Sequence, residues 1–325
     1  MSAPKKQGRF LFRVIRRLLL VVFTVVLMGA VGLWILLNQV LRGPSPAARD
    51  ALTISLADSP ATGWIPGLFL EDDEIAGILE SAQSALPAEV TDLTLITPGT
   101  DAGDWSDTPD GIRVELYRSN AFTAHIMTVR DPGQVWLSYA AGGARIAEQL
   151  KAENAAAAIY AAADTEHLLI SGGVAAARVE ADAGFVGFTE KGILYLSGSM
   201  TPDEAFALPI RDGCACGMIL ILNGQINEGA YNASSGYSPR ACIGQRADGS
   251  VVFLTIDGLS ADSVGGTYRD CIDILYEYGC VNACCLDGVP AAMLCGDRMI
   301  HADSLPRAES AIAPGFWMIR PAEEG

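Results

Sequence analysis

Two neighbouring stretches decide the fold of this 325-residue chain: SPRACIGQRADGSVVFLTIDG at 238–258 and VGGTYRDCIDILYEYGCVNACCLDG at 264–288. The first contains two short apolar runs, 241–245 and 251–256, separated by the turn sequence RADG at 246–249. Glycine in such a turn permits a positive φ, which favours a hairpin. The sequence therefore predicts two paired strands that bring Arg240 close to Asp257.

The second stretch predicts a helix followed by a strand. Thr267 opens a Thr-x-x-Asp capping pattern, and apolar residues then recur at helical spacing until Gly279, a typical stop. Residues 281–286 read as a buried strand. A strand–helix–strand unit gives two parallel strands with a right-handed crossover, and neighbouring strands are about 4.8 Å apart. We therefore expect Asp257 and Asp287, which each follow a strand, to lie close together.

One arginine and two carboxylates at a sheet edge are candidate functional groups. Open sheets tend to bind ligands at the carboxyl ends of their strands. Asp-Gly after a strand is also ordinary turn chemistry. From the residues alone, a turn role and a site role both stay open for Asp257 and Asp287.

The N-terminus differs in character from the rest of the chain. Residues 1–42 hold seven basic residues and no acidic ones, and 18–41 are uncharged and long enough to cross a bilayer. The basic cluster before the apolar run predicts that the N-terminus is cytoplasmic and the remainder extracytoplasmic. A cleaved signal peptide is the alternative. An uncleaved signal-anchor is favoured because the apolar run is long and no small-x-small cleavage site follows it closely.

The predicted organisation has four parts. They are a cytoplasmic basic tail at 1–17, a transmembrane anchor at 18–41, a linker and membrane-proximal helical stalk at 42–105, and a folded domain at 106–325.

The charge of the extracytoplasmic part excludes one class of partner. Beyond residue 42 the chain carries 15 basic and 38 acidic residues. Such a surface repels nucleic acid and anionic lipid, so we predict no nucleic-acid partner. An anionic ligand would need a local cation, and Arg240 is the candidate.

All eight cysteines lie in the second half of the chain. An even number outside the membrane permits disulfides. Cys242, Cys271, Cys284 and Cys285 fall in predicted strands or on the apolar helix face, which favours buried free thiols. The pair Cys214-x-Cys216 is the candidate for redox chemistry, but its spacing matches no strong zinc pattern. The three histidines have no metal-like spacing either, and we predict no metal or cofactor.

The remaining patterns indicate an α+β fold class. A helix is predicted from Asp72, strands at 112–117 and 124–129, and an Ala-rich helix at 144–157. We expect a mixed sheet domain with a βαβ unit, preceded by one N-terminal transmembrane helix.

The same residues resemble the phosphodiester glycosidase family. The family pattern runs approximately Pro-Arg-Thr-Ala-Ile-Gly, a strand ending Asp-Gly-Arg, Ser-x-Gly-x-Thr before a helix, and Asn-Ala-x-Asn-Leu-Asp-Gly-Gly followed by serines. Here the corresponding stretches are PRACIG at 239–244, IDGL at 256–259, SVGGT at 263–267 and NACCLDGV at 282–289.

The resemblance implies hydrolysis of sugar-1-phosphodiesters in envelope or exopolysaccharide glycans at the cell membrane. A phosphorylated glycan would be the partner. The planar guanidinium of arginine suits a phosphate, and a carboxylate pair suits glycosidic cleavage. The implied catalytic residues are Asp257 and Asp287, and the implied substrate-binding residues are Arg240, Asn282, Ser263, Gly258 and Gly288.

Several positions depart from the family pattern. An Asn-Gly-Gly-Phe-like motif is replaced by IYAAA at 159–163, and the second glycine after Asp287 is Val289. The serine run is PAA at 290–292, and the second asparagine of the closing motif is Cys285. Losing amides and hydroxyls removes groups that orient a substrate. The alternative is therefore a non-catalytic member that binds phosphorylated glycans or scaffolds an envelope assembly.

Overall fold

The structure is a computed structural model, and the chain divides into two compact units, Met1–Ile78 and Leu79–Gly325. It describes residues 5–57, 62–82, 89–108, 110–162, 165–177, 183–232, 235–258, 260, 263–286, 289–296, 298–301 and 310–321.

The first unit is helical. It contains α1 (Lys5–Leu41), α2 (Pro46–Ala57), a 3₁₀ turn (Pro66–Leu68) and the start of α3 (Asp72–Ala82). Within it, Leu41, Phe69, Leu70 and Ile78 form a small apolar cluster. The segment Arg16–Leu41 is long enough to cross a membrane, and an 18-residue stretch within it has a mean hydropathy of 2.7 and no buried side chains. This segment is compatible with a membrane span or a signal anchor, and α3 begins at Asp72 as predicted.

The second unit contains three sheets among its described residues, and every strand pairing in them is antiparallel. The seven-stranded sheet, in chain order, comprises β1 (Ile112–Arg118), β2 (Thr123–Val129), β10 (Ile219–Leu222), β11 (Gln225–Ile226), β12 (Arg240–Arg246), β13 (Val251–Ile256) and β14 (Cys280–Cys285). Its spatial order is β1-β2-β13-β12-β14-β10-β11.

The other two sheets have five strands each. One comprises β3 (Val135–Ala144), β4 (Ala157–Ala162), β15 (Met293–Cys295), β16 (Arg298–His301) and β17 (Ala313–Ile319). The other comprises β5 (Leu169–Ser171), β6 (Val174–Ala177), β7 (Ala183–Thr189), β8 (Leu194–Met200) and β9 (Ile210–Ala215). The α-helices that begin among the described residues of this unit are α4 (Ile146–Ala152), α5 (Pro202–Ala207), α6 (Glu228–Asn232) and α7 (Tyr268–Glu277).

One central core joins the three sheets. Met127 and Ile243 of the seven-stranded sheet, Trp317 of the second sheet, and Phe188 and Leu196 of the third are all buried in it. Burying each large apolar side chain contributes about 1.5–3 kcal/mol, so this core dominates the stability of the unit. Helices cover the outer faces, with α6 and α7 on the seven-stranded sheet, α4 on the second and α5 on the third.

The α+β fold class and the predicted hairpin are confirmed. β12 and β13 pair around the 246–249 turn, with Arg240 opposite Ile256. Gly249 has φ = 94°, and a Cβ there would lie 2.5 Å from the backbone of Pro98. The predicted helix follows as α7, with Thr267 as its N-cap and Gly279 at φ = 78° after its last turn.

Two details of the prediction need correction. β13 and β14 run in the same direction, but β12 lies between them, so their ends are about 10 Å apart rather than 4.8 Å. The tight hairpin gives β12 the position beside β13, and α7 crosses over it. The Ala-rich helix is also shorter than 144–157, because α4 spans Ile146–Ala152 and β4 begins at Ala157, between β15 and β17.

Candidate functional site

The beginning of β12 and the ends of β13 and β14 meet at one end of the seven-stranded sheet. We call this end the Arg240 edge; it comprises Arg240, Asp257 and Leu286. Arg240 pairs with Ile256, and Leu286 N donates to Ala241 O at 2.8 Å. The structure therefore brings Arg240 next to the strand that leads into Asp257 and the strand that leads towards position 287. Asp287 and Gly288 themselves lie outside the described residues.

The Arg240 side chain is held by groups from two loops and a helix. Its Nε donates to Gly266 O at 3.2 Å and its Nη2 donates to Gly236 O at 2.9 Å. Its guanidinium carbon lies 4.4 Å from the centre of the Tyr268 ring, in cation–π contact. Tyr268 is the first residue of α7, and sequence reasoning missed it because nothing in the chain spacing links it to Arg240.

Two glycines permit this arrangement. Ser238 N and O each bond to Gly266, so the chain just before β12 lies against the loop just before α7. Gly265 has φ = 94°, and a Cβ there would lie 2.8 Å from Ser238 N. A Cβ on Gly266 would lie 2.6 Å from the side chain of Ile256. The 263–267 stretch thus needs both glycines to bring Gly266 O within reach of Arg240.

Asp257 and Ser263 belong to one loop structure. Asp257 is half-buried, and its backbone N donates to Thr123 O at 3.0 Å. Ser263 Oγ donates to Asp257 O at 2.9 Å and accepts from Gly265 N at 3.1 Å. The hydroxyl of Ser263 therefore fixes the loop after β13, which is a positioning role. Gly258, the next residue after Asp257, is buried.

The structure does not bring Asn282 to the Arg240 edge. Asn282 pairs with Gln245 near the other end of β12, roughly 17 Å along the strand from Arg240. It is fully buried, and its Oδ1 accepts from Asn223 N at 2.8 Å. This residue fixes the turn after β10, so its contacts are structural.

Residues 159–161, in the stretch that replaces the family's Asn-Gly-Gly motif, are buried. Tyr160 is fully buried beside Phe316, with ring centres 5.3 Å apart, and its hydroxyl donates to Ala311 O at 3.2 Å. Burial raises the pKa of Tyr160 to about 12, so the hydroxyl stays a proton donor. Val289 is half-buried and packs against the apolar cluster that contains Tyr160 and Phe316, and also against the central core. Tyr160 thus packs between α4 and the five-stranded sheet that contains β4 and β17.

The cysteines are free thiols, and Cys242, Cys271, Cys284 and Cys285 are buried as predicted. Burial raises the pKa of Cys214, whose Sγ contacts Ala161 O at 3.6 Å. A raised pKa disfavours the reactive thiolate, which argues against a thiol–disulfide role for the Cys214-x-Cys216 pair.

A group of three thiols lies behind Arg240. The Sγ atoms of Cys242, Cys271 and Cys285 all lie within 4.8 Å of one another. Hydrogen bonds from Cys242 and Cys285, assisted by the charge of Arg240, hold the pKa of Cys271 well below its usual range. Sequence reasoning identified these residues as buried but did not bring them together.

The arrangement is that of a fold with known relatives. Residues 144–316, more than half of the chain, match the family model for phosphodiester glycosidase, so the chain belongs to the phosphodiester glycosidase family.

Individual proteins are similar to this chain over most of its length or over a short segment. The zebrafish N-acetylglucosamine-1-phosphodiester alpha-N-acetylglucosaminidase catalytic domain, solved in a form auto-inhibited by its pro-peptide, superposes with a TM-score of 0.58 at 15% identity, covering 74% of this chain and 92% of that one. A hypothetical protein from Synechocystis gives a TM-score of 0.48 at 15% identity, covering 64% and 61%. The SPbeta prophage-derived uncharacterized protein YomE of Bacillus subtilis is 48% identical over 50 residues, which are 15% of this chain and 8% of that protein.

Proposed function

We propose that this protein is a membrane-anchored, extracytoplasmic phosphodiester glycosidase that hydrolyses sugar-1-phosphodiesters in envelope or exopolysaccharide glycans. The observation that carries the proposal is the fixed guanidinium of Arg240 at the edge where the chain enters Asp257 and approaches Asp287. Family membership supports the reaction class, and the apolar segment Arg16–Leu41 is compatible with anchoring.

Arg240 suits the recognition of the phosphodiester. Its guanidinium presents several N–H donors in one plane, which matches the oxygens of a phosphate. The backbone carbonyls of Gly236 and Gly266 and the ring of Tyr268 restrict its rotation. A cation that is already oriented loses less freedom when the ligand binds, so more of the interaction energy remains for binding.

Asp257 and Asp287 are the proposed carboxylate pair. In glycoside hydrolysis one carboxyl group protonates or assists the leaving oxygen, and the other stabilises the oxocarbenium-like transition state or activates water. Here the C1–O bond would break, water would supply the new hydroxyl on C1, and the leaving group would depart as a phosphomonoester. Ser263 and Gly258 would act by holding the loop that carries Asp257. The domain proposed for this reaction is 106–325, on the stalk 42–105.

The reaction is tested by incubating the full-length protein with a panel of α- and β-linked sugar-1-phosphodiesters. Release of reducing sugar and phosphomonoester is measured together. We expect Asp257→Asn and Asp287→Asn to lower kcat by about 10²- to 10⁴-fold, the usual contribution of a general acid or base. Arg240→Lys keeps the charge but loses the planar donors, so kcat/KM should fall more than kcat.

Asp273→Asn is the matched control for the aspartate variants, because Asp273 is exposed on α7. Its turnover should equal that of the unmodified protein. Absence of turnover on every substrate, with a folded protein, would contradict the proposed activity.

A second candidate function is glycan binding without turnover. Val289, in place of a glycine, packs its side chain against two core clusters, and Cys285, in place of an amide, is buried in the cluster between the seven-stranded sheet and α7. These apolar contacts favour a site that has lost groups used to orient a substrate. Binding of a sugar-1-phosphodiester that is abolished by Arg240→Ala, without product release, would support this function over catalysis.

A further inference from the structure

The three thiols behind Arg240 come from three separate elements. Cys242 is on β12, Cys285 is on β14, and Cys271 is in the first turn of α7. Their Sγ atoms lie within 4.8 Å of one another, and those of Cys242 and Cys285 are 3.4 Å apart. All three residues are at most 1% exposed. We call this group the trithiol cluster.

Strand register and helix spacing explain why the sulfurs converge. Cys242 and Cys285 are directly opposite each other, and Leu286 N bonds to Ala241 O, so they form a non-hydrogen-bonded pair of the ladder. Side chains approach most closely at such pairs. Cys271 follows Tyr268 by three residues and therefore lies on the same face of α7, one turn further along. Cys242 follows Arg240 by two residues and therefore lies on the same face of β12.

The spacing of the sulfurs fits a single metal ion. With metal–sulfur bonds of about 2.3 Å, sulfurs around one ion lie about 3.8–4.0 Å apart. The observed separations, 3.4 Å for one pair and up to 4.8 Å for the group, bracket this value. Small rotations about the Cα–Cβ bonds would equalise them. Among the described His, Cys, Asp and Glu side chains, no fourth member joins the group.

We propose that Cys242, Cys271 and Cys285 form a binding site for one Cu(I) ion. Thiolates select soft ions such as Cu(I) and Zn²⁺, but structural Zn²⁺ is almost always four-coordinate, whereas three sulfurs satisfy Cu(I). Cu(I) would be held by three thiolates, any remaining thiol protons would pass to solvent, and the complex would carry two negative charges. The guanidinium of Arg240 and the positive end of the α7 dipole are placed to offset that charge.

The ion would join the three elements that hold Arg240. β12 carries Arg240, and β14 leads towards Asp287. α7 carries Tyr268, whose ring lies against the guanidinium of Arg240. Cu(I) would therefore have a positioning role, and its binding is measurable without any glycosidase activity.

The site is tested with the full-length protein, reduced and kept anaerobic in detergent. Cu(I), supplied as its acetonitrile complex, is titrated in competition with the chromophoric chelator bicinchoninate. We expect one Cu(I) per chain in the unmodified protein. X-ray absorption should show three sulfurs at about 2.3 Å from copper, a result that needs no variant to fold.

Variants then assign the ion to the trithiol cluster. Cys271→Ser should weaken Cu(I) binding by at least about a hundredfold, because even outer-shell changes at metal sites cost 10- to 100-fold. Cys280→Ser, a buried thiol of the same core cluster, and Cys216→Ser, a half-buried thiol elsewhere, should bind as the unmodified protein does.

Three results would overturn the proposal. One is Cu(I) binding that Cys271→Ser leaves unchanged. Another is Zn²⁺ that displaces Cu(I) from the reduced protein. The third is a Cys242–Cys285 disulfide in protein isolated without reductant, combined with no Cu(I) uptake once that protein is reduced.

Discussion

At the scale of single residues, Arg240 shows how much of a side chain's role depends on its neighbours. Its charge alone suits a phosphate, but the carbonyls of Gly236 and Gly266 and the ring of Tyr268 decide where that charge points. Replacing Arg240 with lysine would keep the charge and lose this orientation. The geometry of the Arg240 edge therefore depends on the loop before β12, which carries Gly236, and on the loop from Asp257 to Thr267, which carries Gly266.

His125 gives the molecule a pH-dependent stability. It lies on β2 beside β13, and burial, together with the charge of Arg298, lowers its pKa below the usual 6.5. The unfolded chain then binds a proton more readily than the folded protein. The free energy of unfolding should therefore fall as pH drops below about 6.5 and level off once pH is below the folded pKa.

Chemical unfolding measured between pH 5 and pH 8 checks this expectation for the unmodified protein and for His125→Gln. The variant has no titrating group at position 125, so its stability should change less over this window. An equal loss of stability in both proteins would assign the effect to other groups.

Residue-scale predictions succeeded where the cause was local. Gly249 was predicted from its turn and adopts the expected positive φ. Tyr268 was missed because its contact with Arg240 depends on how the chain before β12 crosses the start of α7. The position of Asn282 on β14 was not predictable, because a sequence motif does not show which end of a strand each of its residues occupies; its substrate-binding role stays a prediction.

At the scale of elements, α7 controls the geometry of the Arg240 edge through its N-terminal cap. Thr267 Oγ1 accepts from Asp270 N at 3.2 Å, and Asp270 Oδ2 accepts from Thr267 N at 2.8 Å. Thr267→Ala should lower the free energy of unfolding by about 1 kcal/mol, the usual value of such a cap. Thr267→Ser, which keeps the hydroxyl, should lose much less, and denaturant unfolding of the two variants side by side measures the difference.

The hairpin and α7 were predictable because turn residues, caps and periodicity are encoded over a few positions. The order of strands was not, because β12 takes the place beside β13 as soon as the hairpin forms and leaves β14 the next position. The Ala-rich stretch 144–157 was predicted to be helical to its end, but α4 ends at Ala152 and β4 begins at Ala157, where it lies between two strands. Tertiary pairing overrides a helix propensity of a few tenths of a kcal/mol per residue.

At the scale of the whole molecule, the proposed topology separates a basic tail from an acidic domain. A full-length fusion to alkaline phosphatase at the C-terminus should be active in a bacterial host, and the same fusion to green fluorescent protein should be dark, because the basic residues before the apolar segment stay inside. A phosphatase fusion that lacks residues 18–41 is the control and should be inactive.

Carbonate extraction distinguishes a retained anchor from a cleaved signal. An uncleaved anchor leaves the intact chain in the membrane pellet, since the segment Arg16–Leu41 is long enough to span the bilayer. Recovery of a shortened chain in the supernatant would favour the cleaved signal peptide.

The α+β class followed from the patterns along the chain, and the family from about fifty residues. The association of three sheets around one core was not predictable, because strands such as β5 and β15 are only three residues long and have no readable period. Such short strands acquire their partners only in the assembled domain.

The position of β12 between β13 and β14 also sets an order of assembly. The hairpin closes over a short loop, whereas Cys242 and Cys285 are 43 residues apart in the chain. Closing the longer loop costs more entropy, so we expect β14 to join after the hairpin has formed. In a nascent chain that still lacks β14, the side of β12 that faces away from β13 has no partner strand, and unpaired strand sides invite pairing with other chains. When β14, the strand that leads towards Asp287, pairs with β12, it covers this unpaired side and also completes the Arg240 edge.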